Sequence, residues 1–148
     1  MALVIDEARA ALARWQPVLR LADWDIDVRV VATEWRKSGD IKIDPDDRKA
    51  VLLLHERIVP ADLDEVVVHE LIHLRLYAMD QMLEGLLDAV FGEDEAEPRR
   101  AFAQTQFMQL LESTTEDLAK AVLGASGRTG DLSWRRLERQ VADEIGPR

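Results

Sequence analysis

A chain of 148 residues, 47% hydrophobic and 32% charged, carries enough apolar material for one domain with a core and is too short for a second full one. Its 19 basic against 29 acidic residues leave a formal charge of -10, which repels a phosphate backbone at long range and speaks against nucleic acid as a partner. With no cysteine, disulfides and thiolate metal ligands are excluded, so any zinc must be held by histidine and carboxylate.

The stretch Met1 to Arg9 lacks a basic start followed by an apolar run, and nowhere does the sequence approach the ~20 apolar residues of a membrane span. A cytoplasmic protein without membrane association is expected. From Ile5 to Leu21 the apolar residues recur at helical spacing, with Ala8, Leu12, Trp15 and Leu19 on one stripe, which predicts an amphipathic helix. Alternation from Trp24 to Val30 predicts a half-buried strand, and Ile41 to Ile43 a second, closed by the turn-prone Asp44-Pro45-Asp46-Asp47. Ala50 to Val59 reads as a third strand, buried in its middle at Leu52, Leu53 and Leu54.

Pro60 ends that strand, and Asp62 with Glu65 has the spacing of a capping box opening a long helix. Its apolar periodicity continues to Phe91, with a break or bend expected around Asp80 to Gly85. The acidic stretch from Gly92 to Pro98 is a solvated loop, and a second long helix follows from Arg99 to Leu123. Gly124 to Gly130 is a linker, and Leu132 to Ile145 a peripheral last helix whose Arg135, Arg136 and Arg139 form a solvated face. One helix, three strands and then helices, without an internal repeat, predict a single α+β domain over residues 1–148. In it a small, mainly antiparallel sheet has helices against one face.

The chemistry concentrates in His69-Glu70-Leu71-Ile72-His73. A helix advances ~100° per residue, so His69 and His73 lie a turn apart on one side and can point both rings at one ion. Glu70 lies on the neighbouring flank, within reach of a water on that ion without being a ligand. Val67, Leu71, Leu74 and Ala78 form the opposite, apolar strip.

The run Val66-Val67-Val68-His69-Glu70-Leu71-Ile72-His73-Leu74 resembles the active-site helix of the zincin metallopeptidases. Three strands followed by that helix resemble their minimal core, over residues 24 to 123. More narrowly, the chain resembles the small metallopeptidases of phages and prophages. The metzincin pattern is excluded, because Met79 stands where its third histidine would fall and Leu76 where it needs glycine. His55, the remaining histidine, is expected to serve on the strand surface rather than as a ligand.

The likeness to gluzincins instead implies a carboxylate from a later helix. Glu112 matches the third zinc ligand and Glu116, four residues on, the partner that orients a histidine ring. The two share one helix face, so exchanging their roles would preserve the geometry, and Glu84 and the loop acids stand further off. Tyr77, one turn past His73, is expected to line the pocket, and Trp15, Trp24, Trp35 and Trp134 to pack. The resemblance implies peptide-bond hydrolysis by a zinc-activated water with Glu70 as general base. The expected partner is an extended polypeptide, aligned on Ala50 to Ile58 as an edge strand. The rival readings are a non-catalytic, zinc-stabilised phage-associated interaction or assembly protein, and a metal-free helical interaction protein.

Overall fold

The computed structural model describes residues 2–32 and 34–127, together with Leu137, Val141, Glu144, Ile145 and Gly146. The helix expected over Leu132 to Ile145 lies, apart from those isolated positions, outside the described residues, as do Trp134, Arg135, Arg136 and Arg139. The element order is α1 (Ile5–Val18), β1 (Asp25–Val31), β2 (Gly39–Asp44), β3 (Lys49–His55), α2 (Pro60–Phe91) and α3 (Pro98–Ala125). No helix among the described residues is long and apolar enough to cross a membrane.

The fold is α+β, with a three-stranded sheet in the order β1-β3-β2. The sheet is mixed rather than mainly antiparallel: β3 runs parallel to β1 and antiparallel to β2. The physical reason is in β3, the most apolar of the three strands. It inserts between the other two, where both of its edges are paired and its side chains are best covered.

Register then sorts the side chains. Val28, Leu52 and Ile41 form one row across the sheet, and Ile26, Ala50 and Ile43 form the next. These face α1 and α2, and Leu52 and Leu54 are fully buried there with Val67, Val68 and Leu71. Each such side chain contributes ~1.5–3 kcal/mol over its exposed state. Leu53 points the other way and is half-buried, because successive strand residues alternate faces.

In α1, Ala8, Ala11, Leu12 and Trp15 are buried, and Trp15 Nε1 donates to Asp64 at 2.7 Å, tying α1 to α2. The helix stops at Val18, so Leu19 belongs to its cap rather than its stripe.

Two expectations about α2 fail. Its first residue is Pro60, after Val59 as N-cap, with no side-chain cap bond; proline suits that position because its missing N–H would have no partner there. Nor does α2 break between Asp80 and Gly85; it runs as one helix for 32 residues. The distal half is held by α3, with Leu87 buried and the Arg100 guanidinium donating to Asp88 at 2.5 and 3.2 Å. Ala78, expected in the core strip, is exposed, since the sheet does not extend that far along the helix. The acidic loop precedes α3, where Glu97 caps the helix by accepting from the Arg100 N–H.

Candidate metal centre

His69 and His73 project from α2 toward α3, and the helical repeat brings their Nε2 atoms to 3.2 Å. Glu112, on α3, closes the cluster: its carboxylate lies 3.5 Å from His69 Nε2 and 3.1 Å from His73 Nε2. One donor atom from each of the three residues falls within 4.8 Å of the others, a grouping that could hold a metal ion. Glu116, one turn further along α3, lies against the other nitrogen of the first ring, 3.1 Å from His69 Nδ1. Lys120 Nζ approaches Glu116 at 3.3 Å.

The charges of this cluster follow from that geometry. Burial works against a charged His69 ring, but hydrogen bonds with Glu112 and Glu116 outweigh it and hold the imidazole up at about 9. The same bonds to His69 and His73 hold the Glu112 carboxyl well below the usual carboxylate range. Glu116 is likewise lowered, chiefly by His69.

Glu70 faces the sheet edge instead of α3. It is buried, and burial pushes its carboxyl up to about 6 against the opposing charges of His69 and His73, with Asp40 and Glu112 adding to the rise. A carboxyl of that basicity can exchange a proton near neutral pH.

The space beside it is made by Gly39, the first residue of β2. A Cβ there would stand 2.7 Å from Val66 Cγ1 and 3.0 Å from Glu70 Oε1. Gly39→Ala is therefore expected to force β2 away from α2 and cost ~1–3 kcal/mol as an overpacking change. Urea unfolding would measure it, and an unchanged midpoint would show that the strand yields freely.

Glu65 is a residue that sequence reasoning assigned elsewhere. Expected as half of a capping box, it is buried one turn before His69 and hydrogen-bonds to Glu116, its carboxyl raised by burial and by that acidic neighbour. The signal was present in the sequence, since position 65 precedes His69 by four and so shares its face.

His55 is set apart from the cluster. It is buried at the end of β3 rather than on a strand surface, stacked on Trp35 with centroids 6.3 Å apart, and its Nδ1 accepts from the Arg57 N–H at 3.0 Å. Tyr77 is half-buried. The open groove of about 610 Å³ beside Glu112 is lined instead by Ala101, Gln104, Thr105, Met108, Gln109 and Ser113 of α3, with Glu95 of the loop. Glu84 is exposed in the distal half of α2.

The expected edge strand also changes. β3 is the central strand, paired on both sides, so it has no free edge to offer a polypeptide. Among the described residues the unpaired edges are those of β1 and β2, and of these strands β2 is the one beside Glu70. Compared with protein-family models and with curated proteins, the chain matches none.

Proposed function

We propose that this protein is a zinc-dependent hydrolase of the zincin type that cleaves peptide bonds, with His69, His73 and Glu112 as zinc ligands and Glu70 as general base. The observation that carries the reading is the triangle of donor atoms on the first three residues. One donor atom from each lies within 4.8 Å of the others, and the two Nε2 atoms are 3.2 Å apart, close to the ~3.3 Å between corners of a tetrahedron with ~2.0 Å bonds. Two imidazoles and a carboxylate suit zinc and leave a fourth position open, as a catalytic site requires.

Zinc at this position supplies a Lewis acid that acidifies water and polarises a carbonyl. Glu116 accepts the Nδ1–H of His69, which fixes the tautomer and turns the Nε2 lone pair into the cluster. Glu70 takes a proton from the attacking water and returns it to the departing amine, a role its burial and raised pKa support. The unpaired edge of β2 beside Glu70 offers main-chain hydrogen bonds to an extended polypeptide.

Purified protein dialysed against zinc is expected to retain ~1 equivalent and to hydrolyse an unfolded polypeptide until a chelator is added. Less than ~0.1 equivalent, with folding indifferent to chelator, would overturn the reading. Zinc uptake has a predicted pH dependence too. Because the metal-free His69 is protonated below about 9, zinc must displace that proton. Affinity should rise ~tenfold per pH unit from roughly pH 6 to 8, measured by competition with a chromophoric chelator.

A further inference from the structure

Beyond the sheet, α2 and α3 continue as a hairpin whose helices, among the described residues, pack on each other. The buried residues of α2 run from Leu63 to Leu74, with Leu87 alone further out, and those of α3 from Leu111 to Leu123, with Arg100 alone before them. Along this distal part, Met79, Met82, Leu86 and Val90 of α2 and Phe102 and Leu110 of α3 are 49–73% exposed. Met79, Met82, Leu86 and Val90 recur at three- and four-residue intervals and so form one stripe.

Both helices turn apolar residues to the same side. Seen from each helix's own N-terminus, at ~100° per residue, the α2 stripe lies on average about a fifth of a turn anticlockwise from the residues on the side of the other helix, Leu110 about a quarter and Phe102 nearly half. The residues on the side of the other helix are Leu83 and Leu87 on α2, and Arg100, Phe107 and Leu111 on α3. The helices run in opposite directions, so offsets of the same sense put the α2 stripe and Leu110 on one face, with Phe102 at its edge. Six such side chains offer on the order of 600 Å² of apolar surface, at the top of what a lone chain shows in one patch and near the ~800 Å² per partner of a standard interface.

We propose that this face is where two copies of the chain associate, hairpin against hairpin across a two-fold axis, as a four-helix bundle. The argument for a second copy is that the α2 stripe matches its own reverse. An antiparallel crossing centred near Glu84 sets Met82 on the partner's Leu86 and Met79 beside the partner's Ala89 and the partner's Val90. The same crossing carries Arg75, exposed and unpaired among the described residues, to the partner's acidic loop at the partner's Glu93. A surface that fits its own two-fold image in both apolar pattern and charge is what an isologous contact requires. The proposal does not depend on the metal centre being catalytic.

Sedimentation equilibrium of the full chain over roughly 1–100 µM should give a dimer. Leu86→Glu or Met82→Glu, at exposed positions that leave helix content unchanged by circular dichroism, should weaken it ~100-fold or more by placing like charges across a desolvated seam. Arg75→Glu should weaken it ~10-fold, and adding Glu93→Arg should restore it.

A wild-type monomer throughout the range would overturn the proposal and leave the face to another occupant, such as residues 128–148 or a foreign helix. A dimer indifferent to Leu86→Glu would place the contact elsewhere and overturn it equally. Failure of the charge exchange to restore the dimer would reject the antiparallel two-fold.

Discussion

Glu70→Gln is expected to leave zinc bound while lowering kcat for peptide hydrolysis by ~10²–10⁴-fold, the range for loss of a positioned general base. Gln keeps the shape of the side chain, so the space beneath Gly39 stays filled and the two histidines stay in place. What disappears is the ability to accept and return a proton. Metal content by elemental analysis and hydrolysis of an unfolded polypeptide would be read on the same preparation.

Unchanged turnover with zinc retained would refute Glu70 as base, and would be the result for a protein in which zinc only holds the fold together. The substitution should not weaken the domain. The folded-state pKa of Glu70 is raised, so its burial penalty is absent well below 4.5, grows as pH rises from 4.5 to about 6 and is complete above that. At pH 8 a neutral Gln removes that penalty, and the metal-free variant should be as stable as the parent or more so by ~1–2 kcal/mol.

The second large effect separates the two glutamates of α3. Glu112→Ala should weaken zinc binding by ~10³-fold or more, since it removes one of three ligands. Glu116→Ala should cost only the ~10–100-fold typical of a group that orients a ligand from behind. The difference follows from where each carboxylate lies: Glu112 within 3.5 Å of both Nε2 atoms, Glu116 against Nδ1 of a single ring. Competition with a chelator of known affinity would rank the variants, and the opposite order would exchange the two roles.

These glutamates mark the limit of what local pattern can carry. Residues four apart on a helix share a face whatever surrounds them, so the pairing of His69 with His73, and of Glu112 with Glu116, could be read from spacing alone. Which acid meets which nitrogen depends on how α3 lies along α2, a relation between segments some 40 residues apart in sequence. Glu65 was misread for the same reason. Its spacing from Asp62 imitates a cap, whereas its contact with Glu116 is tertiary. The unbroken course of α2 through Gly85 was likewise out of reach, because the support for that stretch comes from Leu87 and from the Arg100 bridge to Asp88 on the neighbouring helix.

By itself, then, the sequence determined α1, α2 and α3, the three strands, the α+β class and the two-faced helix that presents His69, Glu70 and His73. All of these follow from periodicities within a few residues of the backbone. Only the tertiary structure decided that β3 lies between β1 and β2, that β2 therefore brings the open edge to Glu70, and that Glu112 closes the triangle of donors. Strand order and helix crossing are set by which apolar faces bury each other across the whole chain, and no short window of residues contains that information.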